Sequence, residues 1–349
     1  MKPATLRDVA AAAGVHPGTA SRALNSATQN LVNRGTVARV IKVAAELGYQ
    51  PNPIARSLKT SKTGTIGIVI PDLTNPFFPP IVRGIESILE PAGYSGLLVS
   101  TDGDLSRERT QVAALRARQV EGLIIATALL DHPLLEELGD MGVLTVMVNR
   151  RPHLTNAPSV IPDDAAGIRL AVEHLASLGH RRIAHLAGPA NTSTGVARAR
   201  AFQDAVADLD LVSDPRLIVT CKAWNEDAGA HGLRELLATS SDFTAVVAGN
   251  DLIALGCYDV FAERGIDCPR EISVVGMNDM PFLDKLRPPL TTVAVPHRQL
   301  GEESARLMLD LLREPDRPIR SVTLPVSLVV RASTAVVSDT NIAAHDRHR

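Results

Sequence analysis

The chain has 349 residues, of which 45% are hydrophobic and 21% charged, enough for two or three domains with full cores. It holds no run of about 18 uncharged apolar residues, which excludes a transmembrane helix. Its three cysteines (Cys221, Cys257, Cys268) lack metal-ligand spacing, and an odd count argues against a disulfide framework. Met1 to Asp8 lacks the apolar run of a signal peptide, so a reducing cytoplasm is the expected compartment. Net charge is -2 but unevenly spread: residues 1–62 carry nine Lys and Arg against two acids, a net +7, which leaves -9 on the rest. A basic head on an acidic body points to a polyanionic partner for the head.

In chain order, Thr5 with Asp8 three positions on reads as a capping-box start, followed by apolar Val9, Ala10 and Ala13 and a stop at Gly14. A second helix starts near His16-Pro17, where a proline costs no hydrogen bond, and buries Ala20, Ala23 and Leu24. Two short helices around Gly14 make a helix-turn-helix. A third helix runs from about Asn33, with Val37, Val40, Ile41, Ala44 and Leu47 at helical spacing, and stops at Gly48-Tyr49. Gln50-Pro51-Asn52-Pro53 is extended, because a residue before proline is pushed out of the helical region. Ile54 to Lys59 can make one or two turns that fold only against a partner surface.

From residue 65 the pattern changes to strand-length apolar runs: Thr65–Ile70, Gly96–Ser100, Gly122–Ala126, Leu144–Asn149, Ile183–Gly188, Thr244–Gly249 and Ile272–Met277. Helical stretches between them define βαβ units and parallel sheets. The runs fall into two sets, giving two doubly wound lobes with a ligand cleft beyond the strand ends. Thr291–Val295 and Val322–Arg331 also read as strands, and residues 336–349 as a loose polar tail.

Thr5-Leu6-Arg7-Asp8-Val9-Ala10, Ala13-Gly14-Val15 and Thr19-Ala20-Ser21-Arg22-Ala23-Leu24-Asn25 together resemble the head of the lactose/galactose-repressor (LacI/GalR) family of bacterial transcription factors. Leu47 to Asn52 and Ala55 to Leu58 look like its linker and hinge helix. Asn75-Pro76-Phe77-Phe78, Leu178-Gly179-His180-Arg181-Arg182-Ile183, Asn250-Asp251, Val275 to Asp279, Pro289 to Val293 and Leu328 to Ser333 continue the match over roughly residues 4–335. The resemblance implies an all-α helix-turn-helix head before an α/β core of two doubly wound parallel-sheet lobes, of the periplasmic-binding-protein type I. The expected domains are a head at 1–50, a hinge at 51–63 and a core at 64–335. Its N-lobe is expected at about 64–162 plus 293–323, and its C-lobe at about 163–290 plus 324–335. The resemblance further implies a homodimer on palindromic double-stranded operator DNA, switched by a small molecule, most often as an inducer.

For DNA, Arg22 on the exposed side of the second helix is the base-reading candidate, since Arg pairs bidentately with guanine; a phosphate contact is its other role. The helix opens with His16, Pro17, Gly18 and Thr19, where the family also reads bases. His16 stands where the family usually has Ser, so the usual hydroxyl cap is missing. Ser21, Asn25 and Asn33 resemble phosphate contacts or caps. Leu58 resembles the hinge leucine that wedges the minor groove, and Arg56 and Lys59 add phosphate attraction.

For the effector, Phe77 and Phe78 match the family's aromatic loop in a chain with only 3% aromatics. Arg198 precedes Phe202 as the family's ligand arginine precedes its Gly-Phe or Gly-Trp pair, with Ala201 replacing that Gly. Trp224, the single tryptophan, lies where an aromatic meets the ligand; its flat ring suits a sugar face or a nucleobase. Asn149, with Arg150 beside it, ends a strand. Asn250 matches a ligand contact, while Asp251 reads as a helix cap. Asn278 stands where many relatives have a ligand-binding Asp, which removes one negative charge.

A carbohydrate effector is expected, with a nucleoside or purine co-repressor as the alternative. A plain sugar-binding protein would lack the basic head. No Walker loop, dinucleotide fingerprint, G-x-S-x-G elbow or H-E-x-x-H pair occurs, so neither an enzyme nor a cofactor is expected. The tail after Thr334 has no leucine heptads, which leaves a dimer as the expected assembly.

Overall fold

A computed structural model describes residues 4–25, 28–49, 63–153, 157–240, 242–315 and 318–337. The chain forms two units, residues 1–63 and 64–349.

In the first unit, helices α1 (Leu6–Ala12), α2 (Pro17–Ala23) and α3 (Arg34–Glu46) enclose a core of Val9, Ala10, Ala13, Ala20, Ala23, Val40 and Ala44. Alanine dominates because short helices crossing closely leave no room for longer side chains. The capping box at α1 is complete: the Thr5 N–H donates to Asp8 Oδ2 at 2.8 Å, and the Asp8 N–H to Thr5 Oγ1 at 3.4 Å. Gly14 turns the chain with φ 64°, and Arg39 Nε donates to the Ala13 carbonyl at 3.0 Å. The apolar face of α3 is narrower than its spacing predicts. Val40 and Ala44 are buried one turn apart, whereas Ile41 is 48% exposed, a sixth of a turn or more off that face, and Leu47, the C-cap, is 42% exposed.

The second unit carries two six-stranded sheets. The N-lobe strands are β1 (Thr65–Ile70), β2 (Ser95–Ser100), β3 (Gly122–Ile125), β4 (Thr145–Val148), β5 (Ser159–Pro162) and β11 (Ser321–Leu324), in the all-parallel order β11-β5-β4-β3-β1-β2. The C-lobe has β6 (Ile183–Ala187), β7 (Ile218–Thr220), β8 (Ala245–Ala248), β9 (Ser273–Asn278), β10 (Thr291–Ala294) and β12 (Ser327–Val329), in the order β12-β10-β9-β8-β6-β7, with only β12 antiparallel. Central strands such as β3, β4 and β8 are buried throughout, as helices on both faces require.

Helices α4 (Phe78–Leu89), α5 (Leu105–Ala117), α6 (Pro133–Asp140) and α11 (His297–Arg313) cover the N-lobe sheet; α7 (Asp164–Ser177), α8 (Ser193–Asp208), α9 (Glu226–Thr239) and α10 (Asp251–Arg264) cover the other. The chain crosses between lobes after Pro162, after Ala294 and after Leu324. The second crossing was expected at about 293, which lies inside β10. Val293 and Ala294 pair with Met277 and Asn278 of β9, so both belong to the C-lobe sheet.

In each lobe a helix pair packs backbone to backbone at glycines. A Cβ on Gly84 or Gly301 would overlap the carbonyl of Arg298 or Ile81 where α4 crosses α11, and Gly229 and Gly256 do the same for α9 and α10. The chain after β12 is stitched to the C-lobe: Ser333 Oγ donates to the Val274 carbonyl at 2.6 Å, and the Val337 N–H to the Leu178 carbonyl at 3.0 Å. The expected tail therefore does not begin at 336; from 338 it lies outside the described residues.

Candidate effector pocket and DNA-binding head

In the head, α2 buries Ala20 and Ala23 and turns His16 and Arg22 to solvent. Among the described residues no carboxylate pairs with Arg22. Its Nη2 lies 3.9 Å from where a Cβ of Gly18 would be, so the guanidinium runs back along the start of the helix. The missing hydroxyl cap is supplied by another group: His16 Nδ1 accepts from the Gly18 N–H at 3.1 Å. With Nδ1 an acceptor, the proton of the neutral ring sits on Nε2, and His16 offers a donor to its surroundings. Pro17, Gly18, Thr19, Ser21 and Asn25 are partly exposed around it. Asn33 is a cap in this fold, its Oδ1 accepting from Gly35 N–H at 2.9 Å; its side chain remains exposed. Arg56, Leu58 and Lys59 lie outside the described residues.

In the core, the eight expected effector residues converge on one cleft between the lobes, lined by Asn75, Phe77, Phe78, Asn149, Arg150, Thr194, Arg198, Trp224, Asn250 and Asn278. Asn75 and Thr194 are additions to the expected set. The N-lobe supplies an aromatic wall at the start of α4. The Phe77 N–H donates to Asn75 Oδ1 at 3.0 Å, fixing the loop. Phe77 meets Phe78 edge-on at 5.1 Å and the His297 ring at 4.8 Å. Asn149 and Asn278 sit at strand ends with φ of 68° and 132°. These uncommon conformations swing both side chains toward the cleft, and asparagine tolerates them better than most residues.

The C-lobe floor is built around Arg198 of α8, which is 3% exposed. Its Nε donates to Asp164 Oδ1 at 2.7 Å and its Nη1 to the Gly249 carbonyl at 2.6 Å. Burial pushes the Asp164 carboxyl pKa up and Arg198 pulls it down. Trp224 lies flat on Gly188, where a Cβ would collide with the indole. The guanidinium carbons of Arg198 and Arg150 stand 5.4 and 5.8 Å from the Trp224 ring centre. Asn250, rather than Asp251, caps α10: its Oδ1 accepts from the Ile253 N–H at 2.8 Å, and its Nδ2 donates to the Trp224 carbonyl at 3.4 Å. Asp251 is instead buried behind the floor, accepting from Thr292 Oγ1 at 2.5 Å and the Met280 N–H at 2.9 Å. Two adjacent cap-type residues made the register ambiguous, and burial of the second decides it.

Four buried polar atoms have no partner among the described residues and border this cleft: Asn149 Oδ1, Arg150 Nε, Trp224 Nε1 and Asn278 Oδ1. Each unsatisfied buried group costs about 1–3 kcal/mol, so a set aimed at one cavity marks a place for a polar ligand. The free space is about 20 Å³, room for about one water. A sugar-sized molecule enters only if the lobes part. A larger groove of about 560 Å³ on the N-lobe, beside α6, has no such convergence. Its histidine, His132, is turned inward, accepting from the Leu129 N–H at 3.1 Å with Nε2 3.4 Å from Glu108.

Gly188 carries no positive φ, and the three atoms nearest to a Cβ added there all belong to the indole ring. Gly188→Ala is expected to displace Trp224, shift its fluorescence and weaken effector binding about tenfold or more while the core stays folded. An unchanged emission spectrum and effector affinity would contradict the placement of the ring.

A helix-turn-helix head followed in the chain by two parallel-sheet lobes around a polar cleft defines a ligand-responsive DNA-binding regulator. Residues 5–52 match the bacterial regulatory proteins of the lacI family, and residues 172–334 match the periplasmic binding protein-like domain. The chain is 34% identical to the ribose operon repressor of Bacillus subtilis over 331 residues, 95% of this chain and 98% of that protein. It also resembles the lac repressor dimer bound to operator and an anti-inducer, at 30% identity and TM-score 0.82, covering 96% of this chain and 100% of that one. An Enterococcus faecium LacI family regulator with bound ribose matches at 33% identity and TM-score 0.68 over 78% of this chain and 100% of that one. The chain belongs to the lacI family of bacterial regulatory proteins. Among the described residues no helix is long and apolar enough to cross a membrane.

Proposed function

We propose that this chain is a cytoplasmic repressor that binds a near-palindromic operator as a homodimer and is released when a polyhydroxylated small molecule, a sugar or sugar derivative, occupies the cleft. The observation that carries the effector reading is the convergence of Phe77, Asn149, Arg150, Arg198, Trp224 and Asn278, with their orphaned polar atoms, at one site. An aromatic ring beside amides and guanidiniums suits a sugar, whose faces are apolar and whose rim carries hydroxyls. The relative that binds ribose in its solved structure supports the same class. An effector alters DNA affinity only by its differential affinity for two lobe arrangements, and a cleft too small for a sugar as it stands supplies the second arrangement.

In the head, Arg22, which pairs with no carboxylate among the described residues, supports a base-reading role, with His16 Nε2 as a second donor. Arg22→Ala is expected to weaken operator binding about 10- to 100-fold and to relax sequence preference at one position per half-site. Equal loss on random DNA, measured at fixed salt, would make Arg22 a phosphate contact. The test of the whole reading is capture of fragmented genomic DNA by the purified protein, followed by sequencing. Enrichment of one short near-palindrome, relieved by a sugar, supports it. Binding that appears only when a nucleoside or purine is added would instead give a co-repressor-dependent regulator.

A further inference from the structure

The charge of the cleft goes beyond its general class. Two guanidiniums, Arg150 and Arg198, line it. Among the described residues the carboxylate that touches either of them is Asp164, which is occupied by Arg198 Nε at 2.7 Å. Asp251 is turned to Thr292 and Met280, and Asp279 is paired with Arg331 at 2.6 Å. Both strand ends that aim into the cleft carry amides, Asn149 and Asn278, and an amide is uncharged whichever way it is turned. Among the described residues Arg150 has no carboxylate within ion-pair distance, and its Nε is buried without a partner. The wall thus holds one positive charge more than it neutralises.

We infer that the effector is a small polyhydroxylated anion, its carboxylate or phosphate oxygens held by Arg150 and Arg198 beside the Trp224 ring; this rests on the effector-pocket reading above. A neutral sugar could satisfy the orphaned donors but would leave Arg150 without a counter-charge in a closed site. An anion does both, and charge-assisted bonds to guanidinium are the stronger kind. Asn149 Oδ1 and Asn278 Oδ1 then accept from hydroxyls of the same molecule. Burial and the neighbouring Arg198 push Arg150 down to about 10, so it stays charged at neutral pH.

Trp224 is the single tryptophan of the chain, so its emission reports on the cleft directly. The full-length protein is titrated with D-ribonate against D-ribose, D-gluconate against D-glucose, and ribose 5-phosphate. The acid of at least one pair, or the phosphate, is expected to bind about tenfold or more tightly than its neutral counterpart and to weaken with added salt. Ribose 5-phosphate acting without the sugar acids identifies the anion as a phosphate; the reverse identifies a carboxylate. Arg150→Gln and Asn278→Asp are each expected to weaken the anion about tenfold or more, the second by introducing a negative charge, and to weaken it by a larger factor than they weaken its neutral counterpart.

Neutral sugars that bind as well as their acids, or anion binding indifferent to both substitutions, overturn the inference, as does silence from every probe. Neutral binding that disappears in Arg198→Gln leaves the pocket reading intact. A compound that raises the melting temperature of wild type and Arg198→Gln alike places the effector site elsewhere, and both readings then fall.

Discussion

Arg198→Ala is expected to lower the unfolding free energy of the core by about 3–5 kcal/mol and to abolish the effector response. The substitution removes the guanidinium that both faces the ligand and neutralises Asp164, itself 8% exposed. It leaves a buried carboxylate alone and takes the donor from the Gly249 carbonyl. The two losses separate experimentally. Asp164→Asn in the Arg198→Ala background relieves the stranded charge, so urea unfolding should recover by at least about 1 kcal/mol while Trp224 stays silent to effector. A single mutant that unfolds like wild type would mean that the ion pair contributes nothing net. The pair also has a positional role: it fixes the guanidinium against the ring of Trp224 before any ligand arrives, which reduces the ordering cost at binding.

The second large effect is acid lability. His180 and His185 are fully buried and His297 nearly so, and burial pushes all three down to about 4. His180 is held by Thr244 Oγ1 at 2.8 Å and the Ala335 carbonyl at 3.1 Å, and His185 Nδ1 donates to the Val247 carbonyl at 2.8 Å. In the unfolded chain these rings titrate near 6.5. Between those values the unfolded state binds more protons, so the stability of the neutral rings is present above pH 6.5 and is lost as pH falls toward 4. Three such groups give up to about 4 kcal/mol per pH unit. Asp251 works the other way. Burial raises its carboxyl to about 6, so its contribution grows as pH falls through that value and offsets about one of the three protons. The urea midpoint of the core should therefore fall steeply from pH 6.5 to 4, and His180→Gln should flatten the slope by roughly half, since about two net protons become about one. A midpoint independent of pH in that window would mean that the rings are not held neutral.

The strands that the sequence reveals are those with long apolar runs; β1, β4 and β9 need only hydrophobicity and flanking turns to be seen. Strand β5 is Ser-Val-Ile-Pro and β7 only Ile-Val-Thr, too short for a periodicity, and a terminal proline argues against a strand unless it falls at the end. In the cleft, the rare types were legible: two adjacent phenylalanines, the lone tryptophan, and an arginine in a family motif. Thr194, Asp164 and Gly188 were not, because a threonine, an aspartate near a helix start and a glycine after a strand have commoner uses. Their roles exist only once β6, α7 and α8 are side by side. The cap of α2 was illegible for a chemical reason: imidazole is an unusual acceptor for a helix start, and nothing in the spacing distinguishes it from a surface histidine.

The three crossings between lobes have a consequence during synthesis. The core of the head closes among residues 9–44, near the start of the chain. The N-lobe sheet gains its edge strand β11 only at Ser321–Leu324, and the C-lobe its edge β12 just after. A nascent chain on the ribosome can thus complete its DNA-binding helices some 280 residues before either sheet is whole. For that interval the head is free of any ligand-controlled partner, while the lobes expose unpaired strand edges. A chain cut short by premature termination would release an intact reader of DNA on an unfolded body that no effector can address, and its rapid removal becomes a condition of orderly control.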